Sequence, residues 1–100
     1  MHRLLFFVLG CVLCAAPVVA GGEASVYEKR CRLCHSIAGS GGPMAKMGGA
    51  LDGVGSKHDA AWLKEYLRNP KSRSPQAKMP ALKLTDEERD TVVQYLLSLR

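Results

Sequence analysis

One hundred residues set a ceiling of one domain. The formal charge is +5, from 14 Lys and Arg against 9 Asp and Glu. The basic residues are dispersed and mostly interleaved with acids, which excludes a nucleic-acid-binding stripe and suits docking to an acidic protein partner.

Residues 1–20 read as a secretory signal peptide. Met1-His2-Arg3 is a short basic start, Leu4 to Leu13 is mostly apolar, and Pro17 ends the apolar run. Val18-Val19-Ala20 places compact side chains at the cleavage positions, so the expected cut lies between Ala20 and Gly21 and the domain is 21–100. The apolar stretch is at the short end of the roughly 17–25 residues a membrane span needs. No span then remains after cleavage. A membrane-anchored form follows only if the leader is retained, or is lipidated at Cys11, where Val8-Leu9-Gly10-Cys11 loosely resembles a lipobox. The sequence stays apolar beyond Cys11, against lipidation. Cys11 and Cys14 are best read as small apolar residues of the leader.

Glu23 to Cys34 has a helical pattern, with Ala24, Tyr27, Cys31 and Cys34 on one face at three- and four-residue steps. Tyr27 is expected to be a packing aromatic one turn before the cysteines. The helix runs into Cys31-Arg32-Leu33-Cys34-His35, a Cys-x-x-Cys-His motif at which c-type haem is attached covalently. Two thiols one helical turn apart can form thioethers with the two porphyrin vinyl groups. An imidazole on the next residue can bind iron from the proximal side. The motif therefore calls for one haem c with its iron, held by Cys31, Cys34 and His35. A thioredoxin-like redox pair would need a βαβ context that so short a chain does not offer. A zinc site would need a fourth strong ligand, for which only His58 is available beyond the leader. A Cys31–Cys34 disulfide would close a very small loop and leave His35 unexplained.

Ser36 to Gly55 contains seven glycines and Pro43, and neither helix nor strand is expected there. A loop this long needs something to wrap, and a haem edge is a sufficient reason. Met44 and Met47 lie in it as porphyrin fillers or candidate iron ligands. Asp59 to Arg68 forms a second helix with Trp62, Leu63, Tyr66 and Leu67 as its apolar stripe, stopped by Pro70. Trp62, Tyr66 and Met44 are the expected haem-pocket residues. Lys71 to Leu84 reads as extended, with Pro75 and Pro80, and carries Lys78-Met79-Pro80. Met79 sits far from the motif in sequence and meets the need for a second axial ligand. The last helix starts at Thr85, where Thr85 and Glu88 form a capping box, and runs to about Leu99. Its stripe includes Val92, Val93, Tyr95 and Leu96, and its expected partner is the first helix, crossing near Tyr27 and Tyr95.

With these residues in place, the chain resembles a class I c-type cytochrome, the small monohaem type, over essentially all of residues 22–100. Tyr27 stands four residues before Cys31, like the aromatic of the family's first helix. Glu65-Tyr66-Leu67-Arg68-Asn69-Pro70 through Pro75 to Lys78-Met79 is similar to the family's approach to its ligand methionine. Tyr95-Leu96 is similar to the aromatic-leucine pair of its final helix. The resemblance implies an all-α fold around one haem, with the N- and C-terminal helices crossing. It also implies His35 and Met79 as axial ligands and reversible one-electron transfer. One departure stands out. The family commonly places Gly-Pro before a Leu-x-Gly run, so that a proline carbonyl accepts the proximal histidine's N–H. Here the stretch is Gly48-Gly49-Ala50-Leu51-Asp52-Gly53. Either Pro43 does this work or a Gly48 or Gly49 carbonyl does.

The expected protein is an electron carrier and not an enzyme. It works outside the cytoplasmic membrane, in the periplasm, with redox partner proteins that present an acidic docking face. It is either a monomer or a small subunit of a respiratory complex. Lys29, Arg32, Lys46 and Lys78 are candidates to ring the haem edge. Three alternatives remain open at this point: a gas sensor, a small peroxidase, and a carrier in which His58 replaces Met79.

Overall fold

The computed structural model describes residues 20–100; residues 1–19 of the expected leader, with Cys11 and Cys14, lie outside the described residues. Helix α1 spans Ala20–Arg30, ending four residues earlier than its periodicity suggested. The ladder there loses its regular spacing. The amides of Cys31 and Arg32 share the Tyr27 carbonyl, at 2.9 and 3.1 Å, and those of Cys34 and His35 share the Cys31 carbonyl, at 3.1 and 3.0 Å. The Cys-x-x-Cys-His motif therefore occupies a hydrogen-bonded turn that continues the helix path without belonging to α1.

The glycine-rich segment is more structured than expected. Strands β1 (Ser36–Ile37) and β2 (Ser40–Gly41) pair antiparallel, Ser36 opposite Gly41 and Ile37 opposite Ser40. The two residues between them, Ala38 and Gly39, have φ of 51° and 79°, the left-handed pair that a tight hairpin requires. Two single-turn helices follow, α2 (Ala45–Gly48) and α3 (Val54–Lys57). Glycine composition argued against regular structure, but these pieces are short enough for turn geometry to decide them.

Helix α4 spans Ala60–Arg68, capped by Asp59, whose carboxylate accepts the Trp62 amide at 2.8 Å. Asn69 leaves the helical region, with φ −149° and ψ 89°, as its position before Pro70 demands. Pro70 then opens a further single turn, α5 (Pro70–Arg73), where extended chain was expected. A proline is well placed at a first helical position because its missing N–H has no partner to lose. Helix α6 spans Asp86–Leu97 behind the expected capping box: Thr85 Oγ1 accepts the Glu88 amide at 3.1 Å, and the Glu88 carboxylate accepts the Thr85 amide at 3.0 Å.

The result is an all-α fold with one minor hairpin. Helices α1 and α6 pack on each other, and the Tyr27 and Tyr95 rings meet there at 5.5 Å and a tilt of 49°. Val92 and Val93 are fully enclosed. Leu63 and Leu67 bring α4 onto the same core, which Leu84, Leu96, Tyr27 and Cys31 complete. A Lys64–Asp90 pair at 3.1 Å links α4 to α6 on the outside, where it adds little.

This core is small, and one of its members is a cysteine that the haem would share. Two expectations follow. The haem-free chain, residues 21–100, shows no cooperative thermal transition by circular dichroism, whereas the haem-loaded protein does. The amide and hydroxyl of Thr85 hold the Glu88 carboxyl below the usual carboxylate range. Its contribution is therefore complete above the unfolded value of about 4.3 and fades as pH falls through the lower folded value. Glu88→Gln flattens that acid limb in denaturant titrations of the holo-protein.

Candidate haem-attachment site

The site is built by the glycine-rich segment folding back on the motif turn. The Gly42 amide donates to the Arg32 carbonyl at 2.7 Å and the Met44 amide to the Leu33 carbonyl at 3.0 Å. These bonds satisfy carbonyls that a helix end leaves open. They also place Pro43 over the Arg32–Leu33 side of the motif. Further along, Ser36 and Ala50 form a parallel bridge, with the Leu51 amide donating to the Ser36 carbonyl at 2.8 Å. The Ala38 amide adds a bond to the Asp52 carboxylate at 2.9 Å.

This pairing brings the Gly49 carbonyl to His35. The His35 Nδ1 and the Gly49 oxygen are 3.1 Å apart. A carbonyl only accepts, so Nδ1 carries the proton and Nε2 keeps its lone pair for a metal. The choice between Pro43 and the glycines is thus resolved: Gly49 supports His35. The same carbonyl also accepts the Ser36 amide at 3.2 Å. Gly49 has φ 79°, a left-handed conformation that a side chain would strain. Gly48 has a different constraint. A Cβ there would collide with the Cys34 carbonyl and come within 2.8 Å of the His35 ring. No side chain fits between the loop and the motif.

Cys31 and Cys34 are both free thiols, so no disulfide competes for them. They differ in surroundings. Cys31 is buried in the core cluster, and that burial pushes its thiol up to about 11, with Arg30 opposing weakly. Cys34 is only partly buried. Among the described residues no three His, Cys, Asp or Glu side chains converge on one point, so a protein-built zinc cage is not formed.

The remaining candidates sit on other elements. Trp62 and Tyr66 lie half-buried one turn apart on α4, with near-parallel rings 4.9 Å apart. Sequence reasoning did not foresee that His58 extends this stack, at 3.4 Å from Trp62 and nearly parallel; the four-residue spacing across the start of α4 was the available signal. Met44 is on the motif side, 41% exposed. Met79 is partly buried and packs against the core cluster. Its segment is tied back to α4 by the Leu82 amide, 3.4 Å from the Leu67 carbonyl.

A groove of about 420 Å³ between α4 and α6 is walled by Lys64, Glu65, Arg68, Asp86, Arg89 and Asp90. Its charged lining is unsuited to an apolar macrocycle, and it holds none of the candidate residues. The donor set fits a haem elsewhere. It offers two thiols on one turn, an imidazole with a fixed tautomer, and a methionine on a separate segment.

A helical domain with its first and last helices packed together and a Cys-x-x-Cys-His turn clamped by a loop defines a small electron-carrying haem protein of the c type. The family model for cytochrome c matches residues 19–100, and the chain belongs to that family. It carries covalent haem c with its iron. Among curated proteins it is 29% identical to cytochrome c2 of Blastochloris viridis, over 89% of this chain and 86% of that one. It is 30% identical to cytochrome c oxidase subunit 2 of Bacillus sp. (strain PS3), over 84% of this chain. There the chain spans only 27% of the relative's length. No solved structure matches.

Gly48→Ala tests the clamp. Relieving its collision requires the loop to move off the motif, and overpacking of this kind costs roughly 1–3 kcal/mol. Urea titration of the holo-protein reads that loss. Gly39→Ala, where an added Cβ meets nothing within 4 Å but φ is 79°, carries the strain of a left-handed residue in the hairpin without pushing the loop off the motif, so only Gly48→Ala disturbs the His35 bond.

Proposed function

We propose that the protein shuttles single electrons between redox partner proteins outside the cytoplasmic membrane, with Cys31 and Cys34 as the thioether cysteines and His35 and Met79 as the axial ligands. The observation that carries this reading is the bond from His35 Nδ1 to the Gly49 carbonyl. It fixes the tautomer, orients the ring and raises the basicity of Nε2, as a proximal ligand requires.

Cys31, Cys34, His35 and Met79 would hold the haem, whose iron would supply reversible one-electron chemistry. The chain's own residues set the terms of that exchange. A His and Met pair favours the ferrous state relative to two nitrogens because thioether sulfur is the softer donor. Apolar neighbours penalise the extra ferric charge in the same direction. Trp62, Tyr66 and Met44 are the proposed pocket walls. A fold that holds both axial ligands in both states keeps reorganisation small.

The surface around the motif suits an acidic partner. No Asp or Glu occurs from Lys29 to Leu51, while Lys29, Arg30, Arg32 and Lys46 do. Lys46 and Lys78 are exposed and form no ion pair among the described residues. Arg32 pairs with Glu28 at 3.5 Å. Leu33, Met44 and Met47 stand exposed in the same region, as an apolar centre would. The leader at 1–20 directs export to the periplasm and is then removed. No helix of the described residues is long and apolar enough to cross a membrane.

The test of the ligand set is the visible spectrum of the reduced protein before and after carbon monoxide. An unchanged Soret band is expected; a rapid shift would put the gas-sensor or peroxidase reading ahead. Met79→Ala opens the protein to carbon monoxide and His58→Ala is silent, whereas the reverse pattern assigns the sixth position to His58. The docking face is tested by Lys46→Glu, which reduces the salt dependence of electron transfer to an acidic redox protein.

A further inference from the structure

The return of the loop to the motif rests on little backbone pairing. Ser36 and Ala50 form a single parallel bridge with two bonds: the Ser36 amide to the Gly49 carbonyl at 3.2 Å, and the Leu51 amide to the Ser36 carbonyl at 2.8 Å. A short pairing among glycines has a weakly specified register. Yet register decides which carbonyl meets His35, because the Gly49 oxygen that bonds the ring Nδ1 is the one that accepts the Ser36 amide. A slip of the pairing would carry that oxygen away from the imidazole.

In a parallel ladder the next rung would run from the Ala38 amide to the Leu51 carbonyl. Here a side chain takes its place: the Ala38 amide donates to the Asp52 carboxylate at 2.9 Å. Both chains turn away at this level, with φ 51° at Ala38 and 77° at Gly53, and the carboxylate reaches where the backbone no longer does. Ala38 is also the one non-glycine residue with positive φ among the described residues. That conformation is costly for an alanine and persists only where its surroundings fix it. Besides the bond of His35 itself, the Asp52 bond is the one side-chain hydrogen bond that joins residues 35–38 to residues 49–52 among the described residues. Asp52 makes no ion pair there, so no cation competes for its carboxylate.

We propose that Asp52 is a positioning residue for His35: its carboxylate pins the Ser36–Ala50 register and so holds the Gly49 carbonyl on Nδ1. The pinning stands on the backbone pairing alone. Its consequence at the iron rests on the reading of His35 as the proximal ligand. A held Nδ1–H bond keeps Nε2 basic, and a more basic ligand favours the ferric state. Loosening the pin therefore raises the midpoint potential.

The experiment compares the holo-protein with its Asp52→Ala, Asp52→Asn and Asp59→Ala variants. Asparagine removes the charge but keeps an oxygen able to accept the Ala38 amide. Asp59→Ala removes a carboxylate that caps α4 instead. NMR of the reduced protein reads hydrogen exchange at the Ser36 and Leu51 amides and at His35 Nδ1. Spectroelectrochemical titration reads the midpoint potential. The expected result for Asp52→Ala is several-fold faster exchange at all three protons and a raised potential. Asp52→Asn keeps the original exchange rates and shifts the potential less. Asp59→Ala lowers thermal stability and leaves exchange at these protons unchanged. Unchanged exchange in Asp52→Ala overturns the proposal. Equal shifts of potential in the alanine and asparagine variants assign the effect to charge and overturn it as well. So does exchange in Asp59→Ala as fast as in Asp52→Ala, which marks general loosening. Faster exchange of the two amides with an unmoved potential supports the pin and overturns the reading of His35 as iron ligand, so the two failures are distinguishable.

Discussion

The bond from His35 to the Gly49 carbonyl is the contact on which the rest of the structure depends. It is made between residues far apart in the loop, so the chain must return from the hairpin and α2 to lie beside the residue it has just left. Parallel pairing of Ser36 with Ala50 makes that return possible. Glycine at 48 removes the side chain that would hold the two backbones apart. Without the clamp, the imidazole would be free to rotate and to exchange tautomers, and its basicity would follow solvent rather than the protein. The loop is therefore part of the ligand, in the sense that it decides which nitrogen is available and in what direction.

A second constraint is size. Few side chains in the described residues are buried, and only Val92 and Val93 are wholly enclosed. A domain this small does not carry much surplus stability from its own core. On the proposed assignment the cofactor completes the core: Cys31 is a buried member of the α1–α6–α4 cluster and would also be a point of haem attachment. Packing and cofactor binding would then not be separable, and a change at the α1–α6 contact would reach the haem through Cys31. The Tyr27–Tyr95 pair lies on that line, one turn from Cys31.

Much of this was legible in the sequence because particular residues left few alternatives. Cys31, Cys34 and His35 in that order carry one chemistry far better than any other. Asp59, Asn69-Pro70 and the Thr85–Glu88 box mark helix ends through local hydrogen bonds, and the helices stop where those bonds require. The glycine segment was less legible. Its hairpin depends on two left-handed residues at 38 and 39, one of them an alanine, and alanine carries no signal for that conformation. The identity of the carbonyl that meets His35 depends on a long-range backbone pairing, which no local pattern encodes. The end of α1 was overestimated for a related reason. The apolar face continues through Cys34, but the regular hydrogen-bond ladder does not: the amides of Cys31 and Arg32 share the Tyr27 carbonyl, and those of Cys34 and His35 share the Cys31 carbonyl.

The placement of charge follows from the same economy. A segment that must approach a helix turn backbone to backbone has little room for long acidic side chains that would need solvating partners. From Lys29 to Leu51 the chain uses glycine, small residues, methionine and a few cations instead. The acids collect elsewhere: three open α6, where they meet the positive helix end and one of them, Asp86, pairs with Arg89, while Asp90 and Glu65 pair with Lys64 and Arg68. The surface beside the motif is basic and partly apolar as a consequence. Leu33, Met44 and Met47 stand exposed within it. The loop that fixes the His35 imidazole thus also supplies the exposed surface of the motif, so the residues proposed to set the iron's ligand and those proposed to receive a partner come from one stretch of chain.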